Sequence, residues 1–179
     1  HNVLNLAAAL AALDAYGVEP AALPDALAGF DPLPHRLQPV ASDRAVRWID
    51  DSISTTPESA LAALASYPEA EVILIAGGQD RGQDHRALAA EIARRGGTVI
   101  GVPSTGPDLV AAARAAGVPE ASALVARNLE EAVGLAGSLA GAGTVVLLSP
   151  AAPSYDHYRD FEERGELFAA LVAEQTRPA

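Results

Sequence analysis

The sequence predicts an α/β fold: a doubly wound, mostly parallel sheet with helices on both faces, preceded by two helices of a neighbouring domain. Three observations lead there. From Val40 onward, short apolar runs alternate with helical stretches. The runs Val72-Ile73-Leu74-Ile75-Ala76 and Val145-Val146-Leu147-Leu148 show no polar alternation, as strands covered on both faces require. Ahead of them, the link Asp31-Pro32-Leu33-Pro34-His35-Arg36 interrupts helix and suits a hinge between domains.

Taken in order, Asn2 to Tyr16 repeats Val3, Leu6, Leu10 and Leu13 at helical spacing, and Gly17 offers a stop. Pro20 to Gly29 reads as a second, shorter helix. The proline-rich link over 31–36 then separates these helices from the alternating strands and helices. Val46 to Ile49 is the first expected strand, and Thr56 to Ser66 a helix with Pro57 in the first turn. Val72 to Ala76 is a strand, His85 to Arg95 a helix ended by Gly96-Gly97, and Thr98 to Val102 a strand. Pro107 to Ala116 is a helix, Ala123 to Ala126 a minor strand, and Leu129 to Ala140 a helix. Val145 to Leu148 and Phe161 to Glu174 supply the closing strand and helix.

Composition excludes several chemistries. The chain has 179 residues, 50% hydrophobic, so it can bury a sizeable core. Its net charge is −11, which argues against a nucleic-acid or anionic-membrane partner. All 12 basic residues are arginine, so this chain by itself offers no phosphate-loop lysine, Schiff base or ammonium general base. Having no cysteine, it makes no disulfide, thiolate metal site or thiol nucleophile, which suits a cytoplasmic protein. No apolar run approaches the roughly 20 residues of a membrane span. The start at His1, with no methionine and no basic-then-apolar leader, is expected of a piece of a longer protein.

In such a sheet, ligands bind beyond the carboxyl ends of the strands. Three segments there carry polar chemistry. Asp50-Asp51-Ser52-Ile53-Ser54-Thr55-Thr56-Pro57 joins paired carboxylates to a helix start. Thr55 or Thr56 suits a helix cap. The adjacent carboxylates instead call for something bound, a ribose hydroxyl or a metal. Ala76-Gly77-Gly78-Gln79-Asp80-Arg81-Gly82-Gln83-Asp84 reads either as a tight turn or as a backbone cradle for an anion. Arg81 favours a carboxylate or phosphate, which a guanidinium binds with two hydrogen bonds. The stretch Leu147 to Gly165 runs from a strand through Ser149-Pro150-Ala151-Ala152-Pro153-Ser154 into a helix start, where Ser154 can donate to a ligand oxygen. Tyr158 is a packing residue, and His85 and His157 read as surface or hydrogen-bonded histidines. No His pair has zinc spacing, and no Gly-x-Ser-x-Gly elbow supports a hydrolase. The dinucleotide and Walker fingerprints are absent as well.

The ordered set of motifs resembles the C-terminal part of the Mur ligase family, its glutamate-adding members in particular. The matching stretches are His1-Asn2-Val3-Leu4-Asn5, Leu33-Pro34-His35-Arg36, Trp48-Ile49-Asp50-Asp51-Ser52 with Thr55, Gly77-Gly78 with Asp80-Arg81-Gly82 and Asp84, and Leu147 to Gly165. The resemblance implies that residues 1–34 close the central ATP-binding domain and that 35–179 form the C-terminal, glutamate-binding domain. It implies ATP-dependent amide formation in peptidoglycan synthesis. The UDP-N-acetylmuramoyl-L-alanine carboxylate becomes an acyl phosphate that the glutamate amine attacks. By resemblance, Asn2 and Asn5 lie near the adenine, Arg36 contacts ATP, and Asp51 takes the ribose hydroxyls. Thr55, Arg81 and Ser154 hold the glutamate carboxylates, and Tyr155 and Phe161 give backbone contacts.

The family commonly has lysine where Ile53 and Arg81 stand, which leaves D- and L-glutamate both open. No catalytic residue and no metal ligand is assigned to this chain. ATP and Mg²⁺ would be bound mainly by the rest of the protein, so the chain alone is expected to be inactive. The rival reading is a non-catalytic α/β module that binds a nucleotide or an acidic ligand.

Overall fold

The structure is a computed structural model that describes residues 2–18, 32–43 and 46–177. The chain divides into two compact units, His1–Leu33 and Pro34–Ala179. In the first, α1 spans Asn2–Ala15. Its Leu6, Leu10 and Leu13 are half-buried while the residues between them are exposed, the three- and four-residue spacing of one helical face. Gly17 ends it at φ +72°, and the Val18 N–H donates to the Leu13 carbonyl at 3.0 Å. The helix expected over 20–29 lies outside the described residues.

The second unit is built on one six-stranded sheet, ordered β1-β2-β6-β3-β4-β5. The strands are β1 (Gln38–Asp43), β2 (Val46–Asp50), β3 (Val72–Ala76), β4 (Thr98–Gly101), β5 (Ala123–Val125) and β6 (Val145–Leu148). The helices are α2 (Pro57–Ala65), α3 (Arg86–Arg95), α4 (Gly106–Ala115), α5 (Leu129–Leu139) and α6 (Phe161–Gln175). Every neighbouring pair is parallel except β1 with β2.

Alternate residues of each central strand feed opposite faces. Val72 and Leu74 of β3, with Val145 and Leu147 of β6, pack under Leu64 of α2, Leu88 and Ile92 of α3, and Leu109 of α4. Ile73, Ile75, Val146 and Leu148 pack on the other side against Val133 of α5 and Phe168 and Val172 of α6. Two helical layers therefore explain why β3 and β6 carry no polar residue. The chain leaves β3 toward α3 on one face and leaves its neighbour β6 toward α6 on the other. Their carboxyl ends diverge, and the resulting crevice is the fold's natural ligand position.

Strand β1 is the element the sequence reading misses. Its Pro39 and polar ends hide it, and an edge strand tolerates both. It pairs antiparallel with β2, and its register shifts between Pro39 and Ala41. Helix ends move by about a residue from expectation, within the usual spread. Thr56 is the cap of α2, and its side chain and that of Ser59 cap each other's backbone N–H. Among the described residues no helix is long and apolar enough to cross a membrane.

Candidate functional site

The carboxyl end of β2 delivers Asp50 and Asp51 into the protein, each 1% exposed. Two adjacent buried carboxylates would repel, yet protein groups separate and satisfy them. Asp50 pairs with His35, Nδ1 to Oδ2 at 2.7 Å, and accepts the Ser52 N–H at 2.9 Å. Asp51 accepts the Leu37 N–H at 3.2 Å on one oxygen and the Ser149 hydroxyl at 2.8 Å on the other. Burial pushes the Asp51 carboxyl above its ordinary value, against the pull of Ser54, Ser149, the Leu37 amide and the Arg36 charge. The pair therefore does not require a bound group to be satisfied.

After β3, Gly77 and Gly78 let the chain pass where no side chain fits. A Cβ on Gly77 would strike the Val102 carbonyl, and one on Gly78 would strike the Pro153 carbonyl. The Gly77 N–H donates to Pro150 at 2.8 Å and the Gln79 N–H to Pro153 at 2.8 Å. These bonds fasten the β3 loop to the β6 loop. Farther along, the Gln83 amide donates to the Thr55 carbonyl at 2.9 Å, joining the β3 loop to the β2 loop.

After β6, residues 149–160 form the third loop. Ser154 is 2% exposed, and its carbonyl accepts the N–H groups of His157 and Tyr158. It sits in this turn and not at the helix start. The cap of α6 is Asp160, whose side chain accepts the Glu163 N–H at 2.8 Å. Tyr155 is 59% exposed, with the Arg81 guanidinium carbon 5.8 Å from its ring centre. The Arg81 Nε donates to the Gln79 side chain at 3.2 Å. Phe161 opens α6, stands edge-on to His35, and accepts the Ser52 hydroxyl on its carbonyl at 2.7 Å.

Thr55, Arg81, Ser154 and Tyr155 thus stand on three loops, with Phe161 at the helix start after the third, that hydrogen bonds tie together at one edge of the sheet. Arg36 lies beside Asp51, close enough for its charge to act on that carboxyl. Asn2 and Asn5 belong to α1 in the other unit, where Asn5 is exposed. His157 is half-exposed and lies 3.7 Å from the Asp156 carboxylate. Among the described residues no group of three or more His, Asp or Glu side chains could hold a metal ion.

Two residues of these segments, Ser52 and Arg164, make a link that the sequence does not show. Arg164 is 2% exposed and donates to the Ser52 hydroxyl at 3.0 Å, the Ser52 carbonyl at 2.8 Å and the Ala152 carbonyl at 3.2 Å. Ser52 passes that bond on to Phe161. A signal existed: Arg164 shares a helical face with Phe168 and Val172, four and eight residues on, and that face is the buried one.

Comparison with known proteins agrees with this architecture. Residues 35–152 match the family model described as Mur ligase, glutamate ligase domain. The UDP-N-acetylmuramoyl-L-alanine–L-glutamate ligase of Salinispora tropica is 44% identical over 176 residues, covering 96% of this chain and 39% of that protein. The UDP-N-acetylmuramoylalanine–D-glutamate ligase of Pelotomaculum thermopropionicum is 41% identical over 172 residues, covering 96% of this chain and 37% of that protein. The chain therefore spans under two fifths of the relatives it matches. Among solved structures, the UDP-N-acetylmuramate-alanine ligase of Thermotoga maritima superposes with a TM-score of 0.70 at 20% identity, over 98% of this chain and 38% of that one. The MurF ligase of the same organism, in complex with ADP, gives 0.66 at 17% identity over 97% of this chain and 39% of that one.

Proposed function

Since the chain belongs to the Mur ligase family and carries its glutamate ligase domain, we propose that it is the C-terminal part of an ATP-dependent ligase that adds glutamate to UDP-N-acetylmuramoyl-L-alanine in peptidoglycan synthesis. The observation that carries this reading is that the loops bearing Thr55, Arg81, Ser154 and Tyr155, and the helix start at Phe161, are joined by hydrogen bonds at the carboxyl edge of the sheet, with Arg81 over the Tyr155 ring. Residues 1–34 are the end of the central ATP-binding domain, and 35–179 are the amino-acid-binding domain. The protein works in the cytoplasm.

The chemistry explains the need for such a site. A carboxylate is a poor acyl donor, and ATP supplies the phosphoryl group that makes it an acyl phosphate. Attack by the glutamate amine forms the amide C–N bond and breaks the acyl C–O bond, and phosphate leaves with that electron pair. The protein's task is to hold a small diacid so that its amine meets the activated carbonyl. Arg81 suits this because a guanidinium fork matches a carboxylate, and the ring of Tyr155 beneath it leaves its edge free. Thr55 and Ser154 add hydroxyl donors and Phe161 a backbone contact. Asp51, held by the Leu37 N–H and the Ser149 and Ser54 hydroxyls, takes the ribose hydroxyls, and Arg36 beside it suits the nucleotide phosphates. Asn2 and Asn5 serve the adenine. Magnesium is held by other parts of the protein, so the isolated chain is inactive.

L-glutamate is the preferred enantiomer, a choice supported by relatives of 44% identity that bear that name, against 41% for the D-glutamate relative. The test is an assay of the full-length protein with ATP, magnesium, UDP-N-acetylmuramoyl-L-alanine and each glutamate enantiomer in turn. Release of ADP and phosphate with a product one glutamate residue heavier, faster with L-glutamate, is expected. Product with D-glutamate alone reverses the choice of enantiomer, and no product with either overturns the reading.

A further inference from the structure

Arg164 presents a physical problem. It is buried in a chain of net charge −11, yet all three of its hydrogen bonds go to neutral oxygens. No carboxylate among the described residues stands at ion-pair distance from it. Asp156 and Asp50 act on it only through space. Burial pushes the guanidinium down to about 10, so the site bears a real desolvation cost. A methionine or leucine on the same face of α6, beside Phe168, would avoid that cost. Something other than core packing must account for the arginine.

Its contacts show what it does. One guanidinium reaches three separate loops. It donates twice to Ser52 after β2 and once to Ala152 after β6. It also packs against Gly78 after β3, where a built Cβ would stand 3.1 Å from Nη1. Through Ser52 it reaches the Phe161 carbonyl at the head of its own helix. It lines a cavity of about 140 Å³, shared with Gly77, Gly78, Leu148 and Tyr158, at the crevice where β3 and β6 part. The three loops that it joins are those bearing Thr55, Arg81 and Ser154.

We propose that Arg164 is a positioning residue for the acidic amino acid, its planar fork fixing the spacing of the loops that bear Thr55, Arg81 and Ser154. This rests on the glutamate-ligase reading and deepens it. Three fixed directions are what the geometry uses, so a lysine, one point charge on a flexible stem, does not replace the fork.

The experiment measures initial rates of the full-length ligase with glutamate varied and the other substrates saturating. Arg164→Lys and Ser52→Ala are compared with the parent, with melting temperatures recorded alongside. Arg164→Lys is expected to raise KM for glutamate about tenfold or more and to lower kcat, leaving KM for ATP within about twofold. Ser52→Ala, which deletes one hydroxyl and keeps the core intact, should raise the same KM by a smaller factor. The double variant should be no worse than Arg164→Lys, because both changes cut one network. Glutamate KM within twofold of the parent in folded Arg164→Lys and in Ser52→Ala overturns the proposal. So does an equal rise in KM for all substrates, the mark of a merely structural residue. If Arg164→Lys fails to fold, Ser52→Ala decides alone. A parent protein that forms no glutamate amide refutes the function itself, which is a different failure.

Discussion

The Arg81 guanidinium carbon lies 5.8 Å from the centre of the Tyr155 ring, although the two residues come from loops after different strands. The Gln79 side chain takes the Arg81 Nε at 3.2 Å, so the arginine is held from two sides while it remains exposed. Arg86, Arg94, Arg127 and Arg159 are all engaged by carboxylates on the surface. Arg81 is held by an amide and an aromatic ring, which orient it without neutralising it. That leaves its charge for an anion.

An exposed cation–ring contact is worth about 0.5–1 kcal/mol, so Tyr155→Leu should raise KM for glutamate about two- to fivefold in the full-length ligase. Tyr155→Phe keeps the ring and should leave that constant unchanged. Steady-state kinetics at saturating ATP checks both variants.

Gly78 stands at φ +153° with the Pro153 carbonyl in the way of any Cβ and Arg164 Nη1 3.1 Å from it. Gly78→Ala must displace the β6 loop and disturb Arg164 together. A loss of about 2–4 kcal/mol is expected from backbone strain plus overpacking. The urea midpoint measures it.

Burial raises the Asp51 carboxyl above 3.8, so the folded state holds that proton more tightly than the unfolded chain. Its contribution is therefore favourable while it is protonated. It is lost as the pH rises from about 3.8 through the raised folded value. Asp51→Asn keeps an acceptor for the Leu37 N–H and removes the titration. The stability of the parent relative to Asp51→Asn should fall as the pH rises through that window. Thermal melts of both proteins across the acid range measure the difference, and a rising difference would contradict the assignment.

Thr56 accepts the Ser59 N–H at 3.3 Å and closes a reciprocal cap on α2. Thr56→Ala should cost about 1 kcal/mol. A drop of about 3 °C in melting temperature follows for a domain of this size. Glutamate KM should stay unchanged, because the cap holds the helix and the proposed glutamate contact is the neighbouring Thr55.

Much of the fold was open to inspection in the sequence, and the exceptions have physical causes. β3 and β6 announce themselves because burial on both faces removes every polar residue. β1 hides because an edge strand can carry Pro39 and a bulge. That Thr55, Arg81 and Ser154 stand in loops after strands was legible from the strand pattern. Their linkage through Gln83 and Ser52 was not, since it depends on pairs such as Ser52 and Arg164, 112 residues apart. The paired carboxylates suggested a bound group. His35, reached from a hinge with φ +58°, and Ser149, 98 residues from Asp51, satisfy them instead. No local pattern encodes either partner.

The most direct test is the glutamate saturation curve of the full-length ligase bearing Arg81→Ala. Loss of a charged hydrogen-bonding partner is worth about 1.5–3 kcal/mol, so KM for glutamate should rise roughly ten- to a hundredfold while KM for ATP holds. A glutamate curve that overlays the parent's would mean that the three-loop edge does not hold the amino acid.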